Sequence, residues 1–487
     1  MSRIIKVVRP KSNRDKNTFQ WDRHLHECER GKTSFVSVNA LSNSLTIDFD
    51  SIFKEGVVFE CVLHDYDANC DGVETRWFAK IKKICGYRVL AQYMGSPTSF
   101  WINFLSDEVH ALADAATRDP QMESVVYIPP PVMNEEYQKD KEGYVKEVIN
   151  SHLMGKKCLG PSFEENRQSL YKPRFRVGQR LELLSYVKST EMRVARIREI
   201  CGRRMNVLVM KEDYPNFSDF EQEDDRQLGF KDAQYWIDQE SFFIFPVGFA
   251  AINMYKLVGN EDYMQHCKKI RKAYKAQQPL PYEPEDVTFD HLPRQPVNKE
   301  HWERIKKGQK FELIDPLSQS FNSLHVASVL EMCFTDGYFL IGMDGPDQED
   351  ESFPIHINNV YMFPVGYAEK HGLTLVPPDE YEGDFTWEKY LKEQNAEPLE
   401  LDLFRKEPSE ERMSMFKVGM RLEAADMCEN QLICPANIKS IHGRVINVNF
   451  DGWDAEFDEL YDIDSHDILP AGWCEFHGYL LQQPQKN

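Results

Sequence analysis

The chain has 487 residues, of which 41% are hydrophobic and 12% aromatic, so it can build several globular cores of the usual domain size. Its 79 acidic residues outnumber its 58 basic residues and give a net charge of −21. This charge disfavours sequence-specific nucleic-acid binding, which depends on Lys and Arg neutralising phosphates, and it favours a cationic partner.

Familiar catalytic and membrane signatures are missing from the sequence. There is no phosphate-binding loop, nucleophile elbow, zinc-protease helix or dinucleotide fingerprint. The eleven cysteines lack the paired spacing of zinc sites, and His24 with Cys28 in HLHEC is only a weak metal candidate. No apolar stretch approaches the roughly 20 residues of a membrane span. We therefore predict a protein that is not an enzyme, holds no cofactor or metal and has no membrane partner.

In chain order, the first segment with a later echo is an arm, TFQWDRHL at 18–25, which is similar to FTWEKYL at 385–391. An opening marker follows: a bulky apolar residue, two residues, Gly, two residues, a bulky apolar residue and Glu. This marker recurs at near-equal intervals, at 53–60, 175–182, 305–312 and 416–423. Such self-similarity is the signature of a tandem repeat.

The text after each opening marker is typical of strands. In the last copy, LICPANIKSI and RVINVNF flank a turn at His442 and Gly443, and the second run places Ile446, Val448 and Phe450 on one face. That pattern predicts a half-buried antiparallel hairpin. A closing marker then ends three copies, as FPVGFA at 245–250, FPVGYA at 363–368 and LPAGWC at 469–474. Proline-rich linkers are predicted at 128–137, 277–286 and 376–384.

These elements predict a mainly β protein of four tandem repeats. Each repeat is a small bent β-barrel core with a helical or extended N-terminal arm, and the apolar residues of the arm are expected to pack on a neighbouring repeat. The repeats are assigned to residues 18–127, 138–276, 285–378 and 384–485.

The last copy carries a family resemblance. FKVGMRLEAAD, LIC, VNFDGWDAEFDELYD and ILPAGWCEFHGYLL resemble the malignant brain tumour (MBT) repeat over nearly its full length. Copies two and three match at both ends, and copy one matches mainly at its opening marker. Four such repeats resemble the four-MBT chromatin repressors, in a divergent invertebrate, nematode-like form. The resemblance implies a nuclear, chromatin-associated protein that binds methylated lysine on the tails of histone three or four and takes part in transcriptional repression.

The resemblance also implies a pocket for mono- or dimethyl-lysine, built from one acid and three aromatic rings. In this chain the matching positions are Asp426, Phe450, Trp453 and Phe457. A further polar position falls on Glu429, where Asn is more usual. Aromatic faces attract the poorly hydrated methylammonium, and a carboxylate accepts its remaining N–H, which trimethyl-lysine lacks.

Two alternatives stay open at this point. Phe450, Trp453 and Phe457 have the i, i+3, i+7 spacing of a buried helix face, although the turn signal at Asp451 and Gly452 disfavours a helix. A non-catalytic scaffold that holds corepressor proteins, with a vestigial cage, is the rival function.

The other copies have incomplete cages. Copy three keeps Asp315 but has Met343 and Pro346 at ring positions. Copy two has Ser185 at the acid position, and copy one has Leu63 there, with Tyr93 and Ser96 at ring positions. We therefore expect methyl-lysine binding in copy four alone.

Overall fold

The computed structural model describes residues 18–41, 54–63, 73–112, 124–130, 134–150, 157–160, 162–169, 174–185, 188–209, 234–294, 297–318, 320–332 and 337–484. Phe53 of the first opening marker and residues 131–133 of the first predicted linker lie outside them. No helix in these ranges is long and apolar enough to cross a membrane.

Four curled sheets, here called units 1 to 4, follow one another along the chain, as the repeat pattern predicts. The strands of unit 1 are β1 Val58–Val62, β2 Val73–Cys85, β3 Arg88–Tyr93, β4 Ser99–Asn103, β5 Val109–His110 and β6 Ser124–Tyr127. Those of unit 2 are β7 Arg180–Leu184, β8 Glu191–Cys201, β9 Arg204–Leu208, β10 Gln234–Asp238, β11 Ile244–Phe245 and β12 Lys256–Val258. Those of unit 3 are β13 Lys310–Leu313, β14 Leu324–Glu331, β15 Tyr338–Met343, β16 Phe353–His356, β17 Met362–Phe363 and β18 Leu375–Val376. Those of unit 4 are β19 Arg421–Ala425, β20 Ile433–His442, β21 Val445–Phe450, β22 Glu459–Asp462 and β23 Ile468–Leu469.

All four sheets share one topology. Four strands form an antiparallel meander, and a short fifth strand returns to pair with the first, as in the order β22-β21-β20-β19-β23. The second strand of each meander carries a bulge at the same register, between residues 81 and 83, 197 and 199, 329 and 331, and 438 and 440. A bulge bends its strand, so the repeated bulge gives each sheet its curl.

Short helices lie between and beside the sheets. They are α1 Asp22–Glu29, α2 Asn134–Lys139, α3 Lys141–Val148, α4 Ser162–Ser169, α5 Phe249–Asn253, α6 Glu261–Lys275, α7 Lys299–Arg304, α8 Tyr367–His371, α9 Trp387–Glu393, α10 Glu410–Ser414 and α11 Trp473–His477. In units 2, 3 and 4 a short helix (α5, α8 and α11) begins directly after the glycine of the closing marker, which has a φ of 83° to 90°.

The two markers of a unit meet through a buried glutamate. Glu423, at the end of the opening marker, is fully buried and accepts hydrogen bonds from the backbone N–H groups of Gly472 and Cys474 at 2.6 and 2.8 Å. Glu182 and Glu312 accept the equivalent pairs in units 2 and 3. This contact explains why the glutamate and the glycine recur together.

Unit 1 lacks the closing marker in its sequence, and two side chains donate to its glutamate. Glu60 is buried and accepts from Arg76 Nη1 at 2.9 Å and from the Tyr127 hydroxyl at 2.8 Å. A buried carboxylate needs a compensating donor set. In unit 1 a guanidinium and a phenol belong to this donor set.

The arms complete units other than their own. The indole of Trp387, in the arm of unit 4, donates to Glu312 of unit 3 at 2.7 Å. The indole of Trp21, in the first arm, donates to Glu423 of unit 4 at 3.0 Å. Extended segments add single parallel bridges to the first strands in the same cyclic order: Cys158 to unit 1, Asp286 to unit 2, Pro398 to unit 3 and Phe35 to unit 4. The expected packing of arms on neighbouring repeats is therefore confirmed, and the first arm joins the two ends of the array.

Hairpin turns fasten units 2, 3 and 4 in a triangle. Tyr338 of unit 3 donates to Phe242 O of unit 2 at 2.9 Å. The turn of unit 4 packs on Tyr367 of unit 3, whose hydroxyl accepts from Arg444 N at 2.9 Å. At Gly443 an added Cβ would lie 2.7 Å from that hydroxyl, so the close approach requires glycine. Cys201 of unit 2 donates to His477 O of unit 4 at 3.4 Å.

Unit 1 attaches to the triangle at unit 4. The amide of Tyr87 donates to Ala471 O at 2.8 Å, and the Asn103 side chain donates to Gly472 O at 2.9 Å. The closing marker of unit 4 therefore contacts Glu423 of its own sheet and the turn of unit 1. Unit 4 lies at the centre of the assembly.

Replacing Trp21 with phenylalanine tests the closure of the array. We expect Trp21→Phe to lower the free energy of unfolding by about 1 to 2 kcal/mol, because a buried carboxylate loses one of its donors while the ring volume is largely kept. Urea denaturation of the full chain measures the change.

Trp101→Phe is the matched control, because its indole donates to Glu29 near the surface. Its cost should stay within about 0.5 kcal/mol. Equal costs for the two substitutions would contradict a structural role for the Trp21 contact.

Candidate functional site

The topology of unit 4 places two loops at one end of its sheet. In an antiparallel meander, the first and third connections lie on the same side. Here these are residues 426–432, between β19 and β20, and residues 451–458, between β21 and β22. We call them the acid loop and the ring loop, because they carry Asp426 and the aromatic residues Trp453 and Phe457 respectively.

The ring loop presents a graded set of aromatic side chains. Phe450 ends β21 and is 3% exposed, within the apolar cluster against which Trp453 packs. Trp453 is half-buried, and its ring meets that of Phe457 edge-on at 5.3 Å. Phe457 ends a 3-10 turn and is 47% exposed, so the other face of its ring is open to a ligand. No continuous helix joins these residues, so the alternative of a buried helix face is wrong.

Polar contacts fix both ends of the ring loop. Asp451 forms an ion pair with Arg421 of β19 and accepts from Asn437 at 3.3 Å. Asp458 is buried, pairs with Lys439 of β20 and accepts from Asn449 at 2.7 Å. The loop is therefore held at its first and last residues, which restricts the positions of the two rings between them.

The acid loop is organised around Asp426. Its Oδ1 accepts from the backbone N–H groups of Cys428 and Glu429 at 2.8 and 2.7 Å, and its own amide donates to Leu432 O at 3.1 Å. The side chain of Glu429 is exposed and accepts from Gln431 at 3.3 Å. Glu429 thus supports Asp426 through its main chain, while its carboxylate faces solvent.

A second carboxylate, from Glu459, stands beside Asp426. Glu459 begins β22 and is 4% exposed. One of its carboxylate oxygens lies within 4.8 Å of a carboxylate oxygen of Asp426 and of Cys428 Sγ. It accepts from Met427 N at 3.1 Å and from the Tyr461 hydroxyl. Burial, and then the charge of Asp426, raise the pKa of Glu459 to about 7. Sequence reasoning missed this residue; its one signal is an acid two positions after Phe457.

Asp426, Cys428 and Glu459 are also, among the described residues, the one group close enough to share a metal ion. Burial and the neighbouring carboxylates raise the pKa of the Cys428 thiol to about 12, and a protonated thiol is a poor ligand. The weak candidate in HLHEC is separated: His24 faces Asp451 at 4.0 Å, whereas Cys28 Sγ lies 3.3 Å from Cys85 Sγ.

The equivalent positions in the other units match the predicted substitutions. Met343 faces Ala327, and Tyr93 faces Ala79, in the register that pairs Phe450 with Ala436. Tyr93 stacks on Phe100 at 4.3 Å, so unit 1 fills this space with its own rings. Asp315 of unit 3 is buried and accepts from Leu317 N at 2.9 Å, like the turn at Asp426. In unit 2, Ser185 is buried, and residues 210–233 lie outside the described part of the chain.

Comparison with known proteins gives one consistent result. The MBT repeat profile matches residues 179–264, 309–382 and 420–487. Protein lin-61 of Caenorhabditis elegans is 58% identical over 100% of this chain and 80% of its own length. Malignant brain tumor repeat protein 1 of the same species is 36% identical over 96% of this chain and 86% of its own length. In fold, the four MBT repeats of Drosophila melanogaster Sfmbt, crystallised with a peptide carrying a methylated lysine, superpose with a TM-score of 0.77 and 24% identity, covering 96% of this chain and 99% of that one.

The raised pKa of Glu459 predicts a stability that depends on pH. Between pH 4.5, the ordinary value, and about pH 7 the folded protein keeps a proton that the unfolded chain releases. The free energy of unfolding should therefore fall as the pH rises through this window, by at most about 3 kcal/mol. Glu459→Gln removes this titrating carboxyl group. The stability of the variant relative to the wild-type protein should therefore increase as the pH rises from 5 to 8.

Urea midpoints of both proteins at the two pH values measure this difference. Glu456→Gln, an exposed position of the ring loop, is the control and should follow the wild-type protein. A difference between wild type and Glu459→Gln that is the same at both pH values would rule out the titration of Glu459.

Proposed function

Because this chain belongs to the family of MBT repeat proteins, we propose that it is a non-catalytic reader of methylated lysine whose binding site is the paired acid and ring loops of unit 4. Asp426 is the acceptor, and Phe450, Trp453 and Phe457 are the aromatic walls. Glu429 supports the acid through its backbone amide. The proposal assigns one repeat to each of residues 18–127, 138–276, 285–378 and 384–485.

The juxtaposition of the two loops carries the proposal. The half-buried ring of Trp453 meets the ring of Phe457, which is 47% exposed, edge-on at 5.3 Å. Both rings lie at the same end of the sheet as the carboxylates of Asp426 and Glu459. Partly exposed rings on the same end of the sheet as one half-buried and one buried carboxylate suit a ligand that is both apolar and cationic. A methylammonium has these two properties.

The energetics favour a weak and selective site. Each ring face contributes about 0.5 to 2 kcal/mol to binding a methylammonium. Ordering of the peptide offsets part of that gain, which leads to micromolar or weaker affinity for a short peptide. Asp426 can accept the N–H that mono- and dimethyl-lysine retain, so these states should bind better than trimethyl-lysine.

The charge of the protein agrees with a basic partner. A net charge of −21 attracts histone tails, and we propose the methylated tails of histone three or four, bound in the nucleus on chromatin, with a contribution to transcriptional repression. The methylated peptide bound by the Sfmbt repeats and the likeness to lin-61 support this choice. Corepressor proteins are further candidate partners, and they are the main partners if the cage is vestigial.

Removing the tryptophan ring tests the cage. We expect Trp453→Ala to weaken the binding of a dimethyl-lysine histone peptide about tenfold or more, because a cation–π face and the enclosure of the ligand are lost. Titration calorimetry with dimethylated and unmethylated peptides measures the effect.

Unit 3 offers matched controls, since Pro346 occupies the equivalent ring position and Asp315 the equivalent acid position. Pro346→Ala and Asp315→Asn should leave affinity within about twofold, whereas Asp426→Asn should reduce it and narrow the preference for lower methylation states. Binding that ignores both methylation and Trp453→Ala would favour the scaffold function.

The affinity should also depend on pH. With a pKa of about 7 in the free protein, Glu459 is mostly protonated at pH 6 and mostly ionised at pH 8. The cationic ligand favours the ionised form, so affinity for dimethyl-lysine peptide should rise up to about tenfold over this interval. Glu459→Gln should bind with little pH dependence. A peptide without histidine avoids titration of the ligand, and an unchanged slope in the variant would assign the effect to another group.

A further inference from the structure

The acid loop of unit 4 is held by unit 2. Asn430, at the tip of the loop, accepts at both of its oxygens: its side-chain Oδ1 takes the backbone N–H of Trp236 at 2.8 Å, and its main-chain O takes Arg204 Nη2 at 2.7 Å. The contacts bridge residues more than 190 positions apart in the chain. Hydrogen bonds from unit 2 therefore hold the loop that carries Asp426.

Arg204 is placed for this contact at a considerable cost. It is 1% exposed, and burying a guanidinium is unfavourable unless good acceptors surround it. Two of its acceptors belong to unit 4: Asp467 Oδ1 at 2.9 Å and Asn430 O at 2.7 Å. The third is Trp236 O, at 3.5 Å, in its own unit.

Trp236 adds further contacts between unit 2 and the acid loop, from an edge strand. β10 is the outer strand of the sheet of unit 2, so its outward amides need partners beyond the sheet. Asn430 supplies one such partner. The ring of Trp236 also meets that of Tyr479 at 5.0 Å, and the Tyr479 hydroxyl donates to Gln431 O, the next carbonyl of the acid loop, at 2.7 Å.

The contacts of Asn430 with unit 2 affect Asp426 through hydrogen bonds within the acid loop. Asp426 Oδ1 is fixed by the amides of Cys428 and Glu429, and Glu429 O accepts from Leu432 N at 2.8 Å across the loop. Asn430 follows Glu429 directly. If Asn430 leaves unit 2, the amides that orient the carboxylate lose their anchor, and binding sites tolerate displacements of only about 0.5 Å.

We propose that Arg204 and Asn430 are positioning residues for the methyl-lysine site, so that unit 2 sets the affinity and the methylation-state preference of unit 4. The inference rests on the proposed function of the two loops. It makes the site a property of at least two units, although unit 4 supplies the residues that contact the ligand.

The test compares full-length wild-type protein with Asn430→Ala and Arg204→Gln. The probes are a short basic peptide with one central dimethyl-lysine and the same peptide with trimethyl-lysine. Both variants should lose about fivefold or more in affinity for the dimethyl peptide, and the ratio of dimethyl to trimethyl affinity should fall, because the acceptor of the N–H is displaced. Melting temperatures accompany each titration.

Arg203→Gln is the matched control. Arg203 is the neighbouring residue of the same turn and pairs with Asp238 and Glu240 of unit 2, and it reaches unit 4 at His466 and not at the acid loop. It should keep both the affinity and the ratio. If Arg204→Gln does not fold, Asn430→Ala, at a part-exposed loop position, carries the test alone.

The outcomes separate the two proposals. Variants of Arg204 and Asn430 that stay within twofold of Arg203→Gln would overturn the positioning role while leaving the reader function intact. A fall in affinity with an unchanged ratio would also overturn it, since general destabilisation weakens both peptides equally. Wild-type protein that does not distinguish methylated from unmethylated peptide would remove the proposed function itself, and this inference with it.

Discussion

The buried glutamate at the end of each opening marker is the contact on which the array depends. In units 2, 3 and 4 it joins the first strand to the start of the helix after the closing marker, through two backbone amides of that turn. In units 3 and 4 it also accepts an indole N–H from an arm, Trp387 or Trp21. One carboxylate therefore closes a sheet and also binds the arm that docks on it. A buried acceptor with unmet hydrogen bonds is costly, so the same group penalises a missing arm.

The candidate site inherits its precision from this arrangement. Arg421, which forms an ion pair with Asp451 of the ring loop, lies two residues before Glu423 on the same strand. The backbone N–H of Arg421 donates to Ser34 O of the first arm, so the arm also holds this strand in place. On the other side, Asn430 joins the acid loop to unit 2. The residues proposed to touch the ligand come from one repeat, whereas the groups that hold them come from three parts of the chain. Unit 4 is therefore suited to binding because it lies at the centre.

Much of the fold could be predicted from the sequence, because its determinants are local or periodic. The markers, the alternating strands around Gly443 and the echo between Trp21 and Trp387 all recur within the chain, and recurrence identifies equivalent positions without coordinates. The equivalence of Met343 to Phe450 was predictable for the same reason. Glu459 and Arg204 were not. Each acts through a partner distant in sequence or across a sheet, so no spacing rule marks its role. The role of Glu429 was also hidden, since a backbone amide leaves no trace in residue type.

The first arm has a consequence for how the protein is made. Residues 18–41 are synthesised before units 1 to 3, yet the strand they pair with, beginning at Arg421, and the carboxylate that receives Trp21 are synthesised after them. Domains generally fold in order of synthesis, but the contacts of this segment with unit 4 must wait until unit 4 has emerged. During that interval Trp21 lacks its acceptor, and Phe35 lacks the strand to which it is bridged. Completion of the array is thus a late event, and a nascent chain truncated before unit 4 would display an incompletely paired first arm to quality-control factors.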